Sequence, residues 1–95
     1  MSMYNPPHPG DFIREVYLKP LGVSYRSVAL KLQVASSTFN RLIQGKSNIS
    51  SEMALRLSKI LGRSPESWLA MQSNYNLWLA RQSLDLDKVE KLAIA

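Results

Sequence analysis

Residues 34–50 read VASSTFNRLIQGKSNIS, and the arrangement of these side chains decides how the chain folds. Wound at about 100° per residue, Phe39, Leu42 and Ile43 fall on one side of a short helix, while Ser37, Asn40, Arg41 and Gln44 gather on the other. One side is core and the other is displayed. Exposed polar residues are the default on any amphipathic helix, so the displayed side acquires meaning only from its surroundings. Gly45 follows at the position where a left-handed residue commonly closes a helix.

Immediately upstream, SYRSVALKL (residues 24–32) carries an N-cap serine, Ser24, and turns Val28, Ala29 and Leu32 inward. Only a few residues separate it from the next helix. Two helices joined by a tight turn, the second short and polar-faced, make a helix-turn-helix. The charge pattern agrees with that reading. From Val16 to Ser51 the charged residues are Lys19, Arg26, Lys31, Arg41 and Lys46, with no Asp or Glu among them. A local excess of one sign argues for an anionic partner more strongly than the whole-chain net charge of +5 does.

Helical periodicity continues on both sides. PGDFIREVYL (residues 9–18) puts Phe12, Ile13, Val16 and Tyr17 on one face, with Pro9 where its missing N–H costs nothing and Asp11 in the first turn. NISSEMALRLSKILG (residues 48–62) is capped by Ser50, carries Met53, Leu57, Ile60 and Leu61 inward and stops at Gly62. The sequence SPESWLAMQSNYNLWLARQ (residues 64–82) opens with a capping hydroxyl, a proline at the first helical position and an acid for the helix dipole. Its apolar arc, Trp68, Leu69, Met71, Tyr75, Trp78 and Leu79, is wider than the ~100° stripe that covers one core. That width fits deep burial within one copy of the chain or a seam between two copies, with Trp68, Met71, Tyr75, Trp78 and Leu79 as the seam candidates. No alternating strand of convincing length appears. The expected fold is all-α, a five-helix domain over residues 1–82 followed by a tail, residues 83–95, with a short helix at most.

The same residues exclude several functions. A chain of 95 residues holds one core and one domain. Without cysteine and with one histidine, His8, it lacks the ligands for a metal site and the partners for a catalytic triad. His8 therefore reads as a capping or packing residue. There is no phosphate-cradling loop, nucleophile elbow or carboxylate pair, so neither catalysis nor a cofactor is expected. No apolar run approaches the ~18 residues of a membrane span and no signal-peptide pattern opens the chain, so the expected location is cytoplasmic.

The run VSYRSVALKLQVASSTFNRLIQGK (residues 23–46) resembles the DNA-binding core of the Cro and phage-repressor class. HPGDFIREVYLKPLGVS at the front and SPESWLAMQSNYNL at the back extend the match to residues 8–79, where the chain resembles the HigA family of antitoxins. The resemblance implies a left-handed residue after Leu32, where the class usually has glycine and this chain has Gln33. It also implies a Ser or Thr cap where this chain has Ala35, so Ser36 or Ser37 is expected to take that role. Asn76 stands where the family usually has an acid.

The resemblance further implies a homodimer that binds operator DNA and a HigB-type toxin, a RelE-like mRNA ribonuclease. Chemistry assigns the parts. In the major groove Arg pairs two ways with guanine and Asn with adenine, which makes Arg41 and Asn40 the expected base readers, joined by Ser37, Thr38 and Gln44. Tyr25, Arg26, Ser36, Lys46 and Asn48 are the expected phosphate contacts. For the toxin, the outer side of the first helix, including Arg14, Glu15 and Leu18, and the acids Asp85, Asp87 and Glu90 remain. A stand-alone transcriptional regulator without a toxin partner is the alternative, and a purely protein-binding adaptor a distant third.

Overall fold

The computed structural model describes residues 5–93, and among them every regular element is helical. Residues 1–4 and 94–95, the outer ends of the expected domain and tail, lie outside the described residues. Helix α1 (residues 9–21) is α-helical over Pro9–Ile13, π-helical over Arg14–Leu18 and α-helical again over Lys19–Leu21. Helices α2 (Tyr25–Leu32), α3 (Ser36–Ile43), α4 (Ser51–Leu61) and α5 (Pro65–Ser83) follow, then a single 3₁₀ turn, Leu86–Lys88.

Side-chain caps set three of these starts. The hydroxyls of Ser24, Ser50 and Ser64 accept from the backbone N–H of Ser27, Met53 and Ser67 at 3.1, 3.1 and 3.0 Å. His8 caps α1, its Nδ1 accepting from the Gly10 N–H at 2.8 Å. The ends are equally specific. Three helices close with paired bonds from a left-handed residue and the one after it: Gly22 and Val23 to Lys19 and Leu18, Gln33 and Val34 to Leu30 and Ala29, Gly45 and Lys46 to Leu42 and Arg41. The middle member of that set requires a left-handed residue, and Gln33 supplies it with φ 61°.

The core is built around Trp68, which is wholly buried, with Phe12 and Tyr17 against its ring and its Nε1–H donating to the Gly62 carbonyl at 3.0 Å. Ile13, Leu18, Val28, Ala29, Leu32, Phe39, Leu42, Ile43, Ile49, Ala54 and Leu57 complete it. Two helical faces depart from a simple periodic reading. On α1, Leu18 is buried and Val16 is 45% exposed. The π turn is the reason: closing five residues apart instead of four brings Leu18 back over Ile13 and rotates Val16 outward. On α4, Ile60 lies at the exposed edge while Ala54 takes the inward position. The chain is elongated, 55 × 24 × 22 Å, and its C-terminal segment exposes Leu84, Leu86, Val89 and Leu92.

Candidate nucleic-acid interface

Helix α3 is fixed from behind. Phe39, Leu42 and Ile43 are buried in the core, and α1 crosses the end of the helix so closely that backbone meets backbone. Gly10 makes that crossing possible, since a Cβ there would run into the Leu42 carbonyl oxygen and lie 2.8 Å from the Ile43 Cα. One turn later Arg14 reaches across: its Nη1 donates to the Ile43 carbonyl at 2.6 Å, while its Nη2 is paired with Asp11 at 3.0 Å. That bond satisfies a carbonyl the last turn of α3 cannot satisfy for itself. Arg56 does the same for α2, donating to the Leu32 carbonyl at 2.6 Å while Glu52 holds its Nη2 at 2.8 Å. Both helices of the turn are thus clamped at their C-terminal ends by arginines from distant helices.

The opposite side of α3 is open. Ser37, Thr38, Arg41 and Gln44 are exposed and Asn40 is half-buried beside them. Ala35 opens the helix with no side-chain cap, leaving its first-turn N–H groups to whatever binds there. Neither Ser36 nor Ser37 takes the expected capping role: both lie inside the helix, past the position from which a hydroxyl reaches back to those groups. Around this face stand the start of α2, where the Arg26 guanidinium lies 5.0 Å from the centre of the Tyr25 ring, and the loop after α3 with Lys46 and Asn48 exposed. Lys19 is neutralised by Glu15 at 2.8 Å, whereas Arg26, Lys31, Arg41 and Lys46 have no carboxylate partner among the described residues. The helix is held, while the hydrogen-bonding side chains and positive charges on and around its open face are uncompensated within the described residues.

Residues 13–68 match the helix-turn-helix family model. The chain is 40% identical over 92 residues to the HTH-type transcriptional regulator YddM of Escherichia coli K12, covering 97% of each. Antitoxin GraA in complex with its operator superposes with TM-score 0.88 at 34% identity, covering 99% of this chain and 98% of that one. Pseudomonas aeruginosa antitoxin HigA with the higBA promoter gives TM-score 0.82 at 30% identity, covering 93% and 99%. The chain belongs to the HigA family of helix-turn-helix antitoxins.

Within this HigA-family chain the candidate residues divide by element. Ser37, Thr38, Asn40, Arg41 and Gln44 share one face of α3, with Ser36 at its start. On α5, Trp68 is not available to a second copy: it is the centre of the monomer core, so its membership of a seam is corrected. Met71 packs against the same core, Tyr75 sets its ring edge-on to His8 at 4.9 Å, Trp78 is half-buried and Leu79 is 43% exposed. The expected outer side of α1 is also corrected. Leu18 is buried and Arg14 is turned onto α3, which leaves Glu15 exposed there.

Glu15 is held between Lys19 and Arg14, and the hydrogen bond from Lys19 keeps its carboxyl below the usual value. Asp85 accepts from the Asp87 N–H at 3.0 Å and starts the 3₁₀ turn; both, with Glu90, are exposed. The fixing roles of Gly10, Arg14 and Arg56 carry no local sequence signal, because each acts on a residue more than twenty positions away. Among the described residues no group of His, Asp or Glu could hold a metal, and no helix is long and apolar enough to cross a membrane.

Proposed function

We propose that the protein is a DNA-binding antitoxin that binds its operator as a homodimer, represses its own operon, and neutralises a HigB-type, RelE-like mRNA ribonuclease by direct binding. The observation that carries this reading is the rigid polar face of α3, flanked by unpaired cations, in a chain that superposes over almost its whole length on operator-bound antitoxins. An α-helix fits the major groove, where Arg41 pairs with guanine O6 and N7 and Asn40 with adenine N6 and N7. Ser37, Thr38 and Gln44 add contacts along the same face. Tyr25, Arg26, Ser36, Lys46 and Asn48 hold phosphates and set register.

A single short helix reads too few bases to select one site, so two copies are needed, with half-sites about one helical turn, near 34 Å, apart. Met71, Tyr75, Trp78 and Leu79 on α5 form the seam in this reading. A ribonuclease that binds RNA is basic, and Asp85, Asp87 and Glu90 attract it, speeding association more than they deepen affinity. Glu15 contributes less than its exposure implies, because Lys19 already neutralises it.

Fluorescence anisotropy on an operator duplex and a random duplex across a salt series tests the DNA reading. Arg41→Ala lowers specific affinity by about 1 to 3 kcal/mol and spares random binding. Lys46→Ala weakens both alike and flattens the salt slope by about one unit. An unchanged specific-to-random ratio in Arg41→Ala defeats the base-reading role. Co-purification with the product of a neighbouring gene for a short basic protein separates an antitoxin from a stand-alone regulator.

A further inference from the structure

Two polar side chains are buried among the described residues, His8 and Gln72. His8 caps α1 through its Nδ1. Gln72 lies on α5, only 4% exposed, and joins that helix to the loop that follows α3. Its Oε1 accepts from the backbone N–H of Ile49 at 2.8 Å, and its Nε2 donates to Asn48 Oδ1 and Asn76 Oδ1, each at 3.1 Å.

The order of donors and acceptors in this chain is forced. A backbone N–H can only donate, so the Gln72 atom facing Ile49 must be its oxygen, and the other end of that amide must be its NH₂. The NH₂ in turn requires oxygen from Asn48. What remains of Asn48 is its own NH₂, and Asn48 is exposed in the loop that also carries Lys46. Phosphate oxygens accept and never donate, so an asparagine locked with its NH₂ outward suits a phosphate, while the flipped rotamer sets oxygen against oxygen. An unrestrained exposed amide samples both.

We propose that Gln72 is a positioning residue for DNA binding: from inside α5 it fixes the polarity of the Asn48 amide so that Asn48 always presents a donor to the phosphate backbone. The proposal rests on the DNA-binding reading above and adds to it a residue with no access to DNA. Asn76, one turn further along the same helix, accepts the second hydrogen of that NH₂ and so helps to hold its orientation.

The test is a double-mutant cycle of Gln72→Met and Asn48→Ala, with Gln72→Glu alongside, read by anisotropy on operator and random duplexes. Circular dichroism sets a temperature at which each variant is folded. Gln72→Glu keeps an acceptor for Ile49 but makes Asn48 turn its NH₂ inward and its oxygen toward DNA. Losing a hydrogen bond to an anionic phosphate oxygen, worth about 1.5 to 3 kcal/mol, corresponds to an affinity loss of roughly 10- to 150-fold. Gln72→Glu is expected to show that loss, and Gln72→Met, which frees the Asn48 amide to take either orientation, a smaller one of about 2-fold per site, each on both duplexes equally and with specificity untouched. In the Asn48→Ala background the Gln72→Met change is expected to add nothing. A purely structural Gln72 gives losses that add to those of Asn48→Ala, and that result overturns the proposal, as does full affinity in Gln72→Met. A wild-type chain that binds neither duplex overturns the DNA-binding reading itself, which keeps the two failures distinct.

Discussion

Adding one methyl group at Gly10 should force α1 away from α3. The Cβ of an alanine there would meet three backbone atoms, the Leu42 carbonyl oxygen and, at 2.8 Å each, the Leu42 carbonyl carbon and the Ile43 Cα. Ordinary carbon contacts are ~3.5 to 4.0 Å and the carbonyl oxygen is nearer still, so the two helices must part by about 1 Å or more. No rotamer change relieves this, because every atom in the way belongs to main chain. Overpacking of this kind costs about 1 to 3 kcal/mol, and the better helix propensity of alanine returns at most about 1 kcal/mol. The contact atoms being main chain, the upper part of the range applies and the net loss is about 2 kcal/mol. At roughly 4 to 8 °C per kcal/mol for a domain of this size, the melting temperature falls by about 8 to 16 °C. The same separation stretches the bond from Arg14 to the Ile43 carbonyl, so operator affinity falls at temperatures where the variant remains folded.

Thermal unfolding followed by circular dichroism measures the loss, with Gly22→Ala as the control. Gly22 also bears an unusual backbone, φ 65°, but a Cβ there meets nothing within 4 Å. Its substitution costs only left-handed strain, about 1 kcal/mol. Intrinsic propensity alone ranks the two in the opposite order, since Gly10 is helical and Gly22 is not. A Gly10→Ala protein that melts within ~2 °C of wild type, or above the Gly22→Ala control, refutes the backbone-contact argument.

Gln33→Gly should stabilise the fold by about 0.5 to 1 kcal/mol, because relief of left-handed strain exceeds the added freedom of the unfolded chain; urea denaturation reads it, and no gain would mean that φ is relaxed in solution. Burial lowers the pKa of His8 from its ordinary value of 6.5, against a smaller upward pull from Asp11 and the Ser47 backbone. The unfolded chain therefore binds the proton first, so the contribution of His8 is fully present above pH 6.5 and is lost as pH falls toward the folded value. Denaturation midpoints between about pH 7.5 and 5.5 should decline in wild type and stay flatter in His8→Asn, and equal slopes would exclude His8 as the titrating group. Leu79→Glu should turn a dimer into a folded monomer with weak operator binding, measured by light scattering with circular dichroism; an unchanged mass moves the seam away from α5.

Local chemistry was legible in the sequence and long-range chemistry was not. Ser24, Ser50 and Ser64 start their helices where a hydroxyl precedes an apolar period, and Gly45 ends α3 where a left-handed residue is needed. The unusual φ of Gln33 follows from its place in the turn. The face of α1 departs from the periodic pattern at Val16 and Leu18 because a π turn breaks the 3.6-residue period without any residue that announces it. The arc of α5 blended two environments: Trp68 belongs to the monomer core, whereas Leu79 is open to solvent, and periodicity records only that both are apolar. Arg14 reads as a surface charge from the sequence and Arg56 carries no signal, because their partners are backbone carbonyls, which every residue has. Gln72 carries no signal either, since it accepts from a backbone N–H in a distant loop and donates to two asparagines that read as surface residues.

The way α3 is held has a consequence for how such proteins diverge. Its position depends on three buried side chains and on contacts to its own main chain from Gly10 and Arg14. Ser37, Thr38, Asn40, Arg41 and Gln44 anchor nothing: among the described residues their side chains make no hydrogen bond within the chain. Under the proposed function, a duplicated gene could therefore exchange these letters one at a time, at little cost to folding, until its product no longer bound the parental operator. Neighbouring modules in one genome can become insulated from each other through this exchangeable reading surface, while the scaffold beneath it stays the same.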